Sequence, residues 1–244
     1  MVFPVGLKRT WILHCSPENW CLMFLLWRGM RRYRHCRDIP KFQISFMRRI
    51  ILTNSDLYFR VNYDPRILIK GAHAATSSIG SATVIVSTLE DGILKIASVG
   101  DCGLRVIRKG QMIFSTFPLE HYFDCPYQLS SEAVTQTYLD AIVSTVDLQI
   151  GDTIIMGSDG LFDNVFDQEI VSVVTTNDDV SNAAKALADL ARNHSVDTKF
   201  DSPYSLEARA RGLDVPWWKK FFGMKLTGGK LDDITVIVGK VKNS

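Results

Sequence analysis

The stretch Gly157-Ser158-Asp159-Gly160-Leu161-Phe162-Asp163 places a carboxylate where an apolar strand meets a turn. The preceding run, Thr153 to Met156, is apolar and β-branched, which is typical of a buried strand. This strand is therefore expected to deliver Asp159 to the edge of a sheet. An isolated Asp-Gly pair is more often a plain turn, because such turns are common. A functional interpretation needs further acidic residues at comparable positions.

Two more aspartate motifs lie at predicted strand ends. The stretch Lys230-Leu231-Asp232-Asp233-Ile234-Thr235 opens a strand from Ile234 to Val238. Farther upstream, Gly80 to Val84 begins an apolar strand, and the next strand, Ile93 to Val99, runs into Asp101. Carboxylates without accompanying His or Cys suit Mg²⁺ or Mn²⁺ rather than zinc or copper. The three motifs together predict a site for a hard divalent cation.

The ordered set of motifs resembles the metal-dependent Ser/Thr protein phosphatases of type 2C. Its members are Gly-Ser-Ala-Thr-Val at 80–84, Gly-Asp-Cys-Gly at 100–103, Gly-Ser-Asp-Gly-Leu-Phe-Asp at 157–163 and Asp-Asp-Ile-Thr-Val at 232–236. The stretches at 120–129 and 228–230 are similar to the organellar branch of this family. The stretch at 217–223 is similar to its chloroplast members in plants. The resemblance begins near Asp64 and continues to the last residue.

The fold that this resemblance implies is α+β, the four-layer αββα sandwich of the type 2C phosphatases, without the N-terminal third of the family domain. Further strands are predicted at 104–107 and 111–115. Helices are predicted from a cap at Asp163-Asn164 to about residue 174, and over 182–193 behind a cap at Ser181. The segment from 194 to 229 is polar and broken by prolines, so it is predicted to be a loop-rich flap near the metal cleft.

The site residues follow from the family motifs residue by residue. Asp159 matches the aspartate that binds the catalytic metal pair, and Asp232 matches the other late ligand. Asp101 matches the aspartate that joins Asp159 in holding a weaker metal. Asp233 stands where many relatives carry Asn and is assigned either a structural role or a role in supporting a metal ligand, while Gly103 departs from the frequent Arg or Ser. The resemblance implies no catalytic residue beyond the metal ligands and no organic cofactor.

The activity that the resemblance implies is hydrolysis of phosphoserine and phosphothreonine in proteins by a metal-activated water. In-line attack on phosphorus would then need no covalent intermediate. One Cys-x₅-Arg spacing occurs, from Cys102 to Arg108, but it runs along the strand predicted at 104–107, so it does not indicate the phosphate-binding loop of a cysteinyl-phosphate route. Another two-metal phosphoesterase, such as a nuclease, would require a basic cleft and metal-binding histidines. The sequence after residue 50 indicates neither feature. The phosphatase is therefore the leading interpretation.

The family's opening third supplies an Asp-Gly turn whose carboxylate bridges the two metals, and this chain has no equivalent. Before Gly80 its acidic residues are Glu18, Asp38, Asp56 and Asp64, and none precedes a glycine. Two dications lying roughly 3.5–4 Å apart need a shared anion to offset their repulsion. The chain is therefore expected to have little activity as written. The alternative function is a catalytically impaired protein that binds a phosphoprotein or another partner.

Charge divides the chain at about residue 50. Residues 1–50 carry a net charge of +8 and the remainder carries −6. We predict a basic leader at 1–50, non-homologous or wrongly assigned in the gene structure, and a partial type 2C phosphatase domain at 51–244. A targeting role and a basic surface segment remain open alternatives for the leader.

The remaining composition is that of an ordinary globular protein, with 46% hydrophobic and 22% charged residues. Five cysteines without a Cys-x-x-Cys spacing argue against structural zinc and a disulfide framework. The expected partner is a phosphoprotein, with membrane-bound phosphoproteins included. Nucleic acid binding, a membrane span and oligomers are not expected, so the protein is predicted to be a monomer. The resemblance implies a chloroplast location, with the mitochondrion as alternative.

Five further polar residues are candidate contacts for a substrate. Arg209, Arg211 and Lys230 are favoured as surface charges rather than phosphoprotein ligands. His121 and His194 are favoured as capped or solvated residues rather than acids for the leaving group.

Overall fold

The computed structural model describes residues 9–11, 21–27, 64–76, 80–131, 136–221 and 223–242. Its strands are β1 (Arg9–Trp11), β2 (Cys21–Trp27), β3 (Ser81–Glu90), β4 (Ile93–Val99), β5 (Gly103–Arg108), β6 (Gln111–Ser115), β7 (Glu120–Tyr122), β8 (Cys125–Pro126), β9 (Leu129–Ser130), β10 (Ile142–Asp147), β11 (Thr153–Gly157) and β12 (Thr235–Lys240). Its α-helices are α1 (Pro65–Ala74), α2 (Asp159–Phe162), α3 (Asp167–Thr176), α4 (Val180–Val196), α5 (Pro203–Ala210) and α6 (Trp217–Phe221), and a 3₁₀ turn covers Tyr138–Asp140.

Strand β11 is the central strand of the first sheet, whose order is β1-β12-β11-β5-β6. It pairs antiparallel with β12 and β5, so that Ile155 lies opposite Val238 on one side and Arg105 on the other. Strand β1 pairs parallel with β12 at the sheet edge. The strand that precedes Asp159 is thus held on both sides.

The second sheet has the order β10-β4-β3-β2, and all its pairs are antiparallel. Strand β9 also pairs with the first two residues of β3. The middle of β3, from Thr83 to Ser87, is buried without interruption. Burial of consecutive residues means that both faces of this strand are covered.

The two sheets pack face to face with helices on their outer sides. Ile154 and Met156 of β11 join Ile85 and Leu104 in the core between the sheets. Ile155 points the other way and packs with α2, α3 and α4, because successive side chains of a strand point to opposite faces. Helix α1 covers the outer face of the second sheet around β3 and β4. This layering confirms the predicted α+β sandwich.

Two predicted helix boundaries are wrong. Helix α3 begins at Asp167, after the short helix α2, and the backbone nitrogen of Phe166 donates to Glu169 at its start (2.9 Å). Helix α4 is capped by Asp179 rather than Ser181, since the Asp179 carboxylate accepts from the nitrogen of Asn182 (2.8 Å). A carboxylate is a strong cap, and it moves the start of this helix toward the N-terminus. The predicted loop-rich flap also contains helices α5 and α6.

Two strands come from the segment predicted to be a leader. Strand β1 pairs with β12, and strand β2 pairs with β3 from Thr83 to Leu89. These pairings connect the segment to both sheets through backbone hydrogen bonds. The division of the chain at residue 50 stays a prediction.

Deletion of residues 1–50 tests this division. We expect the melting temperature to fall by more than about 4 °C, because loss of β2 exposes the backbone of β3 along seven residues. Differential scanning calorimetry of the deleted and intact chains measures the difference. A smaller change would support a leader that lies outside the fold.

A buried ion pair fixes the start of β11. The Asp152 carboxylate is 1% exposed and accepts from Nε (2.9 Å) and Nη2 (2.8 Å) of Arg108 on β5. It also accepts from the backbone nitrogen of Gln149 (2.8 Å). The hydrogen bonds from Arg108 hold the pKa of Asp152 below its usual value. The carboxylate therefore ties β11 to β5 only while it is ionised.

Replacing this carboxylate should destabilise the fold in a pH-dependent way. We expect Asp152→Asn to lower the free energy of unfolding at pH 7 by about 2 kcal/mol, because the buried carboxylate that accepts two hydrogen bonds from Arg108 is lost. The folded-state pKa is depressed, so the deficit is full above about pH 4 and shrinks as the pH falls below it. Urea unfolding at several pH values measures it. Asp178→Asn, at an exposed aspartate, is the matched control, and an equal loss in both variants would contradict the prediction.

Candidate functional site

The end of β11 is locked to the start of β12 by one serine. The Ser158 hydroxyl donates to the carbonyl of Asp233 (2.8 Å) and accepts from the nitrogen of Thr235 (3.0 Å). Gly160 allows this approach, since a Cβ there would lie 2.5 Å from the Asp233 carbonyl oxygen. Asp159, the first residue of α2, is 4% exposed at this junction. Through its backbone carbonyl, Asp233 therefore helps to hold the two motifs together.

A buried asparagine joins the two motifs a second time. The Asn164 side chain is fully buried and donates to the carbonyls of Gly160 (3.0 Å) and Lys230 (2.9 Å). Its Oδ1 accepts from the backbone nitrogen of Lys230 (2.8 Å). One amide therefore satisfies both backbone groups of Lys230 and fixes where its side chain starts.

The Lys230 ammonium lies among four carboxylates. Its Nζ is 2.7 Å from Asp163, 2.9 Å from Asp159, 3.0 Å from Asp124 and 3.9 Å from Asp232. Burial lowers the pKa of Lys230, but the charges of Asp163 and Asp159 outweigh it and raise the pKa above its usual value. The side chain is only 10% exposed, so the interpretation of Lys230 as a surface charge is wrong. It is the counter-ion of the acidic cluster.

Asp101 reaches the same place from the turn between β4 and β5. Gly100 before it has a φ of 95°, a conformation that glycine adopts without steric cost. Burial first, and the nearby charge of Asp159 second, raise the pKa of Asp101 to about 7, although Lys230 opposes the shift. Asp101 Oδ1 is buried and accepts no hydrogen bond from the residues that the structure describes. A buried oxygen of this kind is suited to a cation.

The Asp232 carboxylate faces the same cluster from the opposite side. Burial, followed by the charge of Asp159, raises the pKa of Asp232 to about 7. Burial also raises the pKa of Asp163 to about 7, while the Lys230 ammonium opposes that shift. The raised values reflect negative charges held close together with little water.

Asp124 enters the cluster from the β7–β8 hairpin. Its backbone has a φ of 61°, which points to a tight turn between the two strands. The Tyr204 ring of α5 packs beside it, 5.2 Å from the ring of Phe123 and 5.2 Å from Lys230 Nζ. The hairpin is thereby held against α5 at the entrance to the cluster.

A cleft of about 610 Å³ opens above the carboxylates. Phe123, Phe162 and Tyr204 form part of its wall. Arg105 also lines it, with its guanidinium 4.3 Å from the ring of Phe162. A Cβ at Gly103 would lie 2.6 Å from this ring, so the departure from Arg or Ser at this position makes room for Phe162. A ligand bound in the cleft could therefore contact cationic side chains, aromatic rings and carboxylates at the same time.

Of the predicted ligands, Asp159 and Asp232 lie within 4 Å of the Lys230 ammonium, and Asp101 is near enough for the charges of Asp159 and Lys230 to influence its pKa. Across the described part of the chain, no group of three or more His, Cys, Asp or Glu side chains is already arranged as ligands of one ion. The donors nevertheless fit Mg²⁺ or Mn²⁺ in kind, because they are carboxylate oxygens and include the buried Oδ1 of Asp101. Their assignment as metal ligands stays a prediction.

Other polar residues of the prediction have structural roles. His194 donates from Nδ1 to the carbonyl of Asn164 (2.8 Å) and stacks on Phe200 at 3.8 Å. His121 stacks on Tyr127 at 4.1 Å. Neither ring is among the residues that line the cleft. Both remain consistent with the interpretation as capped or solvated residues.

Two arginines of the predicted flap are held by neighbouring acids. Arg209 donates to Asp201 (2.7 Å), and Arg211 donates to Glu207 (2.6 Å). The Arg211 pair lies at the surface, as the sequence predicted. Among the helices that the structure describes, none combines the length and apolar character that crossing a bilayer requires.

Comparison with known proteins places the motifs in one family. The family model "Protein phosphatase 2C" matches residues 135–199. The chain is 72% identical over 183 residues to "Probable protein phosphatase 2C 1" of Oryza sativa subsp. japonica, covering 75% of this chain and 55% of the relative. It is 65% identical over 185 residues to "Probable protein phosphatase 2C 26" of Arabidopsis thaliana, covering 75% and 62%. The chain thus spans less than two thirds of either relative.

Two solved structures share the fold. The X-ray structure of the photosystem II phosphatase PBCP has a TM-score of 0.76 and 64% identity, and the match covers 82% of this chain and 78% of that chain. The catalytic domain of the phosphatase PstP, in complex with two manganese ions, has a TM-score of 0.51 and 15% identity, covering 78% and 89%. The second likeness concerns the fold alone.

The role of Lys230 as counter-ion can be tested without any assay of activity. We expect Lys230→Met to lower the free energy of unfolding in EDTA by about 3 kcal/mol, because four carboxylates lose their buried cation. Adding Mn²⁺ should raise the melting temperature of this variant more than that of the wild type, since a bound cation replaces the lost charge.

Thermal unfolding in EDTA and in Mn²⁺ provides both measurements. Lys185→Met, at an exposed lysine of α4, is the matched control and should change stability by less than about 0.5 kcal/mol. A Lys230→Met protein as stable as the wild type in EDTA would contradict the assigned role.

Proposed function

Because the chain belongs to the protein phosphatase 2C family, as its motifs predicted, we propose that it hydrolyses phosphoserine and phosphothreonine in proteins. Mg²⁺ or Mn²⁺ would be held by Asp101, Asp159 and Asp232. The observation that carries the proposal is that these carboxylates, from three separate turns, face one buried cation at the floor of a cleft. Convergence from separate turns is typical of an active site rather than of plain turn residues.

The chain's own side chains supply binding and orientation. Arg105 and Lys230 are the cations among the cleft residues that the structure describes, and either can pair with a phosphate oxygen. Phe123, Phe162 and Tyr204 can exclude water from the bound phosphoamino acid. Bound dications would supply an activated water and polarisation of the phosphate.

Burial of the neighbouring thiol supports hydrolysis by water. Cys102 is 2% exposed, and its sulfur lies 3.1 Å from the Thr83 hydroxyl. A nucleophilic thiol needs access to the phosphorus atom, which this position does not give. The arrangement therefore favours carboxylates as ligands over a cysteinyl-phosphate route.

The second candidate is a catalytically impaired phosphatase-fold protein that binds a phosphoprotein or another partner. One observation favours it: a lysine, rather than a further carboxylate, stands at the centre of the acidic cluster. With fewer bridging anions, two dications would be held weakly. The cleft could then still bind a phosphorylated segment through Arg105 and Lys230.

The cellular context is also a proposal. The similarity to a photosystem II phosphatase supports a chloroplast location and substrates among membrane-bound phosphoproteins, with the mitochondrion as alternative. We propose a monomer without nucleic acid partners, in which a basic, non-homologous leader at 1–50 adds strands β1 and β2 to the sheets of a phosphatase domain at 51–244. Residues 51–244 carry a net charge of −6, which disfavours binding to nucleic acid.

Phosphopeptide hydrolysis at saturating Mn²⁺ tests the leading proposal. We expect low activity from the 244-residue chain and a rise of at least about 100-fold in a chimera that carries the upstream segment of the rice relative, because additional carboxylates strengthen metal binding. In the more active of the two proteins, Asp159→Asn should remove at least about 99% of the activity.

Asp178→Asn is the control and should retain full activity. Full activity of Asp159→Asn would exclude this carboxylate as a ligand. If neither protein hydrolyses the peptide but both bind it, measured by fluorescence anisotropy, the impaired protein is the correct interpretation.

A further inference from the structure

The strongest feature that catalysis leaves unexplained is an exposed group of apolar side chains after α5. We name residues 214–226 the aromatic loop. Its exposed side chains are Trp217 (81%), Trp218 (49%), Phe221 (84%) and Met224 (46%), and Leu213 (55%) lies directly before it. Contiguous exposed apolar residues of this size point to an interaction surface.

The loop is closed at its base rather than loosely attached. The Asp214 carboxylate accepts from the nitrogens of Val215 (2.7 Å) and Leu226 (2.8 Å), the two ends of the loop. The Arg209 guanidinium donates to the Leu226 carbonyl and to Asp201. These bonds hold the aromatic loop on α5 while its apolar side chains face water. The exposure is therefore built into the fold.

The charge of the loop is opposite to that of the domain. The aromatic loop contains three lysines and one acid, Asp214, whereas residues 51–244 carry a net charge of −6. Because Lys225 pairs with Asp201, the excess positive charge of the loop comes from Lys219 and Lys220. An anionic surface would repel most of the domain and attract this loop. Tryptophan and phenylalanine next to lysine are typical of segments at the bilayer interface, where rings enter the headgroup region and ammonium groups contact anionic lipids.

We propose that the aromatic loop binds the surface of an anionic lipid bilayer. Trp217 and Phe221 would insert at the level of the headgroups, and the lysines would contact the anionic groups. This inference goes beyond the proposed function and does not depend on catalysis.

Binding through the loop would also orient the cleft. Arg211, three residues before the loop, lies with its guanidinium 5.6 Å from the ring of Phe123. Phe123 belongs to the wall of the cleft. The loop therefore leaves the fold at the rim of the cleft, and a bilayer bound there would lie beside its entrance.

Co-sedimentation with protein-free vesicles tests the proposal on the full chain. We expect binding to phosphatidylcholine vesicles that contain phosphatidylglycerol to exceed binding to pure phosphatidylcholine by at least about 10-fold at low salt, because each lysine near the surface adds to the attraction. High salt should reduce this excess.

Two variants examine the two parts of the interaction. Trp217→Ser/Phe221→Ser should reduce binding to the anionic vesicles at least about 10-fold, and Lys219→Glu/Lys220→Glu should remove the preference for phosphatidylglycerol. The control is Phe117→Ser/Leu139→Ser, at side chains that are 79% and 66% exposed elsewhere, and it should bind like the wild type. Circular dichroism checks that each variant is folded.

Three results would overturn the proposal. The first is equal binding to both vesicle types at all salt concentrations. The second is binding only when a membrane protein is embedded in the vesicle, which would make the partner a protein. The third is a lipid-free dimer in sedimentation equilibrium that Trp217→Ser/Phe221→Ser abolishes, because the loop would then join two copies of the chain.

Discussion

The concentration of carboxylates at the end of β11 is the constraint on which this structure depends. Charges of one sign that are removed from water need a counter-charge, and here a single ammonium group, that of Lys230, lies within 4 Å of four of them and offsets part of their charge. Three of these aspartates come from different parts of the chain, so the ion pairs connect the β7–β8 hairpin, helix α2 and the segment before β12. The ion pairs that connect these elements therefore lie in the candidate site itself.

This arrangement changes what metal binding would mean for the protein. A metal cation that binds these carboxylates would compete with the ammonium group of Lys230. Asn164 positions this lysine by hydrogen bonds to its backbone. Binding would then be an exchange in which the lysine side chain is released toward the cleft.

Local pattern predicted β3 to β6, β11 and β12, because alternation and β-branched runs directly reflect the two faces of a sheet, but it did not predict β1, β2 or β7 to β10. Asp101, Asp159 and Asp232 were identified from motifs, and the structure brings them to one cluster. Asp124 and Lys230 were missed as members of that cluster, because their partners lie far away in the chain: Lys230 is 67 residues from Asp163. No periodicity encodes such a contact. The start of α3 differs from the prediction for a related reason, since Asp163 and Asn164 resemble caps but contact Lys230 instead.

The pairing of β2 with β3 has a consequence for how copies of this protein meet one another. Strand β3 is buried on both faces, and β2 covers its outer edge from Thr83 to Leu89. Detachment of β2 would uncover an apolar strand with free backbone donors and acceptors, which is a template for the same strand of another molecule. Local opening at this edge would therefore lead to aggregation before the rest of the domain unfolds. Pairing of segment 21–27 with β3 therefore protects the protein against aggregation through this strand edge.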